Sequence, residues 1–71
     1  MIGVQAGGLV NINSASQAEL ETLPHIGEAL AGRIIAYRQA NGPFARSEDI
    51  MKVAGIGDKT FADLRDLITA Q

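Results

Sequence analysis

Nine residues, Leu20-Glu21-Thr22-Leu23-Pro24-His25-Ile26-Gly27-Glu28, return thirty positions later as Ile50-Met51-Lys52-Val53-Ala54-Gly55-Ile56-Gly57-Asp58. Apolar side chains coincide at 20/50, 23/53 and 26/56, glycine at 27/57, and an acid follows each of those two glycines. Further on, Ile34 falls over Leu64. Each copy reads as a short helix, a sharp reversal and a longer helix, so the chain is a duplicated unit whose apolar faces can bury against each other. With 71 residues there is room for one such pair and no second core. A chain of that size hides only roughly 60% of the surface its unfolded form exposes.

The remaining segments fit around the two copies. Met1–Gly8 is Gly-rich and aperiodic, and is expected to be loose or the remnant of a linker, with the domain occupying 9–71. Leu9-Val10-Asn11-Ile12-Asn13 alternates, with Val10 and Ile12 packing as an extended lead-in and both asparagines suited to bonding nearby backbone. Ser16-Gln17-Ala18-Glu19 is a capping box, opening a helix from Gln17 to about Thr22 that must stop before Pro24. From Glu28 to Ala40 the pattern is helical, with Leu30, Ile34 and Tyr37 at i, i+4, i+7 and Ala31 and Ile35 beside them. Gly42 suits a left-handed C′ position and Pro43 blocks continuation. Ser47 is expected to cap a short third helix ending near Lys52, with Glu48 and Asp49 favourable to its dipole. A fourth helix is expected from Asp58 to about Thr69, with Phe61, Leu64 and Ile68 on one face. The sum is an all-α, compact four-helix domain without strands, its reversals near 23–28 and 53–58. Its expected core is Leu30, Ile34, Tyr37, Phe44, Ile50, Phe61, Leu64 and Ile68, with the Tyr37 hydroxyl at the surface.

Composition removes several functions. There is no cysteine, hence no disulfide framework or thiolate metal site, and one histidine among scattered carboxylates makes any metal site an unpromising reading. Aromatic residues are 4% of the chain, too few for a base-stacking platform. Six Lys+Arg against eight Asp+Glu give a net charge of −2, so any nucleic-acid contact must be local. No transmembrane run is present, and Met1–Gly8 lack the basic start and long apolar stretch of a signal peptide. The chain therefore reads as a mature or trimmed piece of something longer.

The chemistry resides in the reversals. In Ala54-Gly55-Ile56-Gly57-Asp58-Lys59-Thr60 the second glycine opens a helix, leaving backbone N–H groups without intrahelical partners. Those donors and the positive end of the helix dipole suit a phosphate oxygen. Lys59 adds a cation and Thr60 a hydroxyl. The alternative is a tight helix–helix turn plugged by Ile56, with Lys59 in an i,i+4 pair with Asp63 and Thr60 a packed helix residue. Arg33, Arg38, Arg46, Lys52 and Arg65 either extend the electrostatic reach or are a solvated surface.

Leu23-Pro24-x-Ile26-Gly27 and Val53-x-Gly55-Ile56-Gly57-x-Lys59-Thr60 resemble tandem helix-hairpin-helix motifs. With Val10-Asn11-Ile12-Asn13-Ser14-Ala15-Ser16 ahead and Asn41-Gly42-Pro43-Phe44 between, the chain is similar, from about Leu9 to Ile68, to the DNA-binding domain of the ComEA competence proteins. The resemblance implies a SAM-like tandem helix-hairpin-helix domain. It further implies double-stranded DNA bound without sequence preference, outside the cytoplasmic membrane, during uptake for transformation. The location would be periplasmic or extracellular, with or without a membrane tether in a full-length protein. It implies a monomer with DNA and proteins of an uptake machine as partners, no small-molecule substrate and no cofactor. By that likeness the backbone at His25, Ile26, Gly27, Glu28 and Ala29, and at Gly55, Ile56, Gly57, Asp58, Lys59 and Thr60, would face phosphates. Two departures stand out. His25 occupies a place where the family pattern has glycine, so its ring would crowd an approaching strand or, protonated in mild acid, contact it. On the first reading His25→Gly should strengthen binding. Glu28 and Asp58 would repel a phosphate, unless their role is compensation of the helix dipole, worth roughly 0.3–1 kcal/mol.

Two rivals belong to other classes. Gly55-Ile56-Gly57-Asp58-Lys59-Thr60 also resembles the hairpin of DNA glycosylases of the endonuclease III kind, whose lysine at the place of Lys59 is catalytic. That chemistry needs a downstream aspartate and a pocket for a flipped base. Only 12 residues follow Lys59, so no catalytic residue is expected. The second rival is a structural or protein-docking module, as in the photosystem II subunit PsbU, whose hairpins look similar.

Overall fold

The computed structural model describes residues 8–71. The expected loose segment 1–8 lies, apart from Gly8, outside the described residues. Strand β1 (Val10–Asn11) is followed by α1 (Gln17–Leu20), α2 (Glu28–Asn41), a 3-10 helix (Ser47–Lys52), α3 (Asp58–Leu64) and strand β2 (Ile68–Thr69). The fold is thus mostly helical, with four helices and a very small sheet among the described residues. They fill a body about 27 × 24 × 23 Å.

Burial follows the repeat. Leu20, Leu23 and Ile26 are buried in the first copy, and Ile50, Val53 and Ile56 at the same places in the second. Ile34 of α2 and Leu64 of α3, also thirty apart, are fully buried with them. Two three-residue apolar rows thus supply one face each and close on a shared core. Of the core expected from helical spacing, Ile34, Phe44, Ile50, Leu64 and Ile68 are buried, while Leu30, Tyr37 and Phe61 are partly buried against its edge. Tyr37 stacks on Phe44 with ring centroids 5.3 Å apart and planes 10° from parallel, sealing the inter-motif loop onto α2.

The expectation of no strands is corrected. β1 and β2 pair in parallel, Val10 opposite Ile68 and Asn11 opposite Thr69. The Val10 N–H donates to Leu67 O and the Ile12 N–H to Thr69 O, each at 2.9 Å. The fourth helix therefore ends at Leu64 instead of near Thr69: the alternating Val10-Asn11-Ile12 segment has unpaired backbone groups, and β2 satisfies them while Ile68 still reaches the core. Asn13 reaches much further than its neighbours: its Oδ1 accepts from Phe44 N–H at 2.7 Å and its Nδ2 donates to Phe44 O at 3.0 Å and Gln71 O at 3.3 Å.

Local signals at element ends hold more closely. Ser16 and Glu19 form the expected capping box, Glu19 N–H donating to Ser16 Oγ at 3.2 Å and Ser16 N–H to Glu19 Oε1 at 2.7 Å. The helix it opens is shorter than expected, ending at Leu20. The third helix is 3-10 and its cap is Arg46 instead of Ser47, with the Arg46 N–H donating to Asp49 Oδ2 at 3.3 Å. Gly42 has φ 85° but ψ 178°, so it ends α2 with positive φ in an extended conformation and not in the left-handed helical one.

Candidate nucleic-acid interface

The two reversals repeat the same backbone hydrogen bonds. Leu23 N–H donates to Leu20 O at 3.1 Å and Val53 N–H to Ile50 O at 3.0 Å, and then Ile26 N–H to Leu23 O at 3.2 Å and Ile56 N–H to Val53 O at 3.1 Å. His25 has φ 69° and Gly55 φ 97°, so both turns need a left-handed residue at the same point. Gly27 (φ −95°, ψ −169°) caps α2, and Gly57 (φ −102°, ψ −168°) caps α3.

At Gly55 two features favour glycine. A Cβ there would lie 2.7 Å from Leu30 Cδ2 and 3.1 Å from Arg33 Nη1, in a backbone conformation that side chains resist. At Gly27 and Gly57 neither reason applies: φ is negative and a Cβ would meet nothing within 4 Å. Neither cap makes a side-chain hydrogen bond, although serine or aspartate would fit and would stabilise the helix. As a result the N–H groups of Gly27, Glu28, Ala29 and Leu30, and of Gly57, Asp58, Lys59 and Thr60, have no hydrogen-bond partner among the described residues. All eight residues are exposed or half-buried. Each helix start offers open donors, with the dipole's positive end behind them.

The sequence-selected residues separate into three roles. Gly27, Glu28, Ala29, Gly57, Asp58, Lys59 and Thr60 lie at these open starts. Ile26 and Ile56 are core plugs, 4% and 3% exposed, and their N–H groups are already bonded inside the turn. Gly55 and His25 face the other motif: Gly55 lies on Leu30 and Arg33 of α2, and His25 Nε2 is 2.8 Å from Asp63 Oδ2 of α3. The Lys59–Asp63 pair, the alternative to a phosphate contact, is not among the ion pairs formed by the described residues.

Charge is distributed unevenly among the cations. Arg38 Nη1 donates to Ile12 O at 2.9 Å and Arg33 Nη1 to Ala54 O at 3.2 Å, so both hold the fold together. Arg46 lies 4.0 Å from Glu48 and Lys52 3.8 Å from Asp49. Lys59 and Arg65 form neither a hydrogen bond nor an ion pair among the described residues, and both are exposed. Among the described residues no three His, Asp or Glu side chains gather in a way that could hold a metal ion, and no helix is long and apolar enough to cross a membrane.

Two equivalent hairpins, each closing on a glycine-capped helix, define a tandem helix-hairpin-helix domain. The helix-hairpin-helix motif family matches residues 5–69, and the chain belongs to that family. It is 48% identical over 65 residues to ComE operon protein 1 of Bacillus subtilis (strain 168), covering 92% of this chain and 32% of that protein. The chain thus spans about a third of that relative's length. It is 44% identical over 48 residues to endonuclease/exonuclease/phosphatase family domain-containing protein 1 of Mus musculus, 68% of this chain and 8% of that protein. It is also 39% identical over 54 residues to kinesin-like protein KIF22 of Danio rerio, 76% of this chain and 8% of that protein.

Proposed function

We propose that this chain is a SAM-like tandem helix-hairpin-helix domain that holds duplex DNA without sequence preference. Phosphate oxygens sit at the starts of α2 and α3, with the second hairpin the stronger. One observation carries the reading: at equivalent points of a duplicated unit, helices start on glycines that leave their first N–H groups open. Lys59, exposed and without a partner among the described residues, adds a cation at the second start. The first start has His25 and Glu28 nearby and no cation until Arg33, which is bonded to Ala54 O. The likeness to ComE operon protein 1, together with the resemblance of the motifs to competence DNA-binding domains, supports DNA uptake during transformation as the setting. On that reading the domain is a non-catalytic monomer. It works in the periplasm or outside the cell, tethered in a longer protein, beside other proteins of the uptake machine.

Titration of a short duplex at low and moderate salt tests this. Affinity in the 10⁻⁴–10⁻⁶ M range usual for non-specific binding is expected, towards the weak end given the net charge of −2. Lys59→Ala is expected to weaken binding equally for all sequences and to lower the salt slope by about one. An unchanged slope removes Lys59 from the interface.

One observation favours the protein-docking alternative: an open apolar groove of about 380 Å³ lies between Arg33, Ala36 and Tyr37 of α2 and Val53 and Ala54 of the second hairpin. Lack of DNA binding even at low salt, with capture of a protein instead, would give that reading the advantage.

A further inference from the structure

Two cross-motif contacts obey the same thirty-residue offset as the sequence repeat. Arg33, in α2 of the first copy, donates through Nη1 to Ala54 O of the second hairpin at 3.2 Å and lies against Gly55. Asp63, its counterpart in α3 of the second copy, accepts from His25 Nε2 of the first hairpin at 2.8 Å. Since a carboxylate only accepts, Nε2 holds the proton in this contact. Position 33/63 of each motif therefore reaches the reversal of the other. Where the helix contributes an arginine, the hairpin answers with a bare carbonyl and a glycine. Where it contributes an aspartate, the hairpin must supply a donor, and His25 supplies it at φ 69°, where glycine would be the easier residue.

We propose that Arg33–Ala54 and His25–Asp63 are reciprocal latches that fix the two hairpins relative to each other, and that His25 and Asp63 are positioning residues for a simultaneous two-hairpin grip on DNA. The latching is independent of any ligand, whereas the positioning role rests on the DNA reading above. Two open helix starts engage two phosphates at once only if their separation matches the duplex, and the latches add to the buried Ile26 and Ile56 in fixing it. His25 then replaces the family's glycine because the opposing side chain is an acid, and its ring is directed towards α3 and not towards an incoming strand.

Two measurements decide this. The first is a double-mutant cycle in thermal unfolding without DNA, with His25→Gly, Asp63→Ala and the pair. Asp63→Ala is expected to lower the midpoint by about 2–4 °C when His25 is present and to leave it unchanged in the His25→Gly background. Equal effects in both backgrounds would overturn the latch. The second compares Asp63→Asn with Asp63→Ala on duplex DNA. Both remove the same charge, but asparagine can still accept from Nε2. The Asn variant is expected to bind at least threefold tighter than the Ala variant, with similar salt slopes in both because the first hairpin offers backbone N–H groups and no free cation. Equal affinities would overturn the positioning role. If the unaltered domain binds no duplex, the DNA reading and the positioning role fall together, and the unfolding cycle alone decides the latch.

Discussion

A glycine at a helix start usually gives way to serine or aspartate at a small gain in stability, so Gly27 and Gly57 separate fold from function. Gly57→Ser is expected to raise stability by about 0.3 kcal/mol, because its hydroxyl can accept from an N–H of the first turn that has no partner among the described residues. The same substitution is expected to weaken DNA binding several-fold, the new oxygen occupying the donor and approaching where a phosphate would sit. Denaturant midpoints and duplex titrations check the two halves, and unaltered affinity would remove the α3 start from the interface. Gly55→Ala should behave in the opposite way. Its Cβ would lie 2.7 Å from Leu30 Cδ2, the movable end of a half-buried side chain, at φ 97°, so a loss of about 1–2 kcal/mol is expected in urea unfolding, chiefly from the strained backbone. His25 shows how far sequence reasoning reached at this scale. Treating it as an ill-fitting glycine substitute identified the left-handed position from the repeat. It overlooked the partner, which is 38 residues away and on a different helix. The signal existed: extending the thirty-residue offset beyond the hairpins sets Arg33 over Asp63, and an acid there calls for a donor opposite. With that partner in place, His25→Gly is expected to weaken DNA binding by leaving the Asp63 carboxylate without its donor beside the first hairpin.

Among the elements, the helices with strong local signals were legible and the chain ends were not. The capping box of α1 and the glycine starts of α2 and α3 are encoded within four or five neighbouring residues, and each lies where the pattern placed it. The end of α3 depends on something non-local. Ile68 follows Leu64 at i+4, so its helical spacing and its actual burial agree while the element does not: β1 takes β2 out of the helix because Val10 and Ile12 need acceptors. Asn13 was equally hard to place from sequence, since its three hydrogen bonds go to Phe44 and Gln71. It joins the lead-in, the inter-motif loop and the end of the chain. Asn13→Ala should leave the Phe44 N–H without its acceptor and cost about 1–3 kcal/mol in urea unfolding. The Asn13 side chain bonds to neither hairpin, so duplex affinity under folding conditions should stay within a factor of two. A large loss of affinity at unchanged stability would mean that the clasp of chain ends takes part in binding.

For the molecule as a whole, the net charge of −2 and an interface for phosphate are compatible only if contact is confined to few points. Four of the six cations are engaged with carbonyls or carboxylates of the fold, so on the proposed DNA reading Lys59 and Arg65 are the cations left to meet a phosphate. The larger share of the attraction must then come from backbone N–H groups, which carry no full charge and displace few counterions. A domain binding through a basic surface would show a steep salt dependence with six or more phosphates neutralised. Here Lys59 and Arg65 suggest one or two, hence a slope of log K against log salt of roughly −1 to −2 for duplex DNA. Glu28 and Asp58 stabilise the helix dipoles in the free protein, and on the proposed DNA reading they would oppose phosphate in the complex. Replacing both by their amides should therefore lower folding stability by about 0.5–2 kcal/mol while tightening duplex binding at low salt. The gain should shrink as salt rises, because the repulsion removed is itself screened within about 10 Å at 0.1 M. Duplex titrations of the Glu28→Gln/Asp58→Asn variant across a salt series would check it. A slope near zero in the unaltered domain would remove Lys59 and Arg65 from the interface, and no tightening in the variant would mean that the helix starts do not hold phosphate.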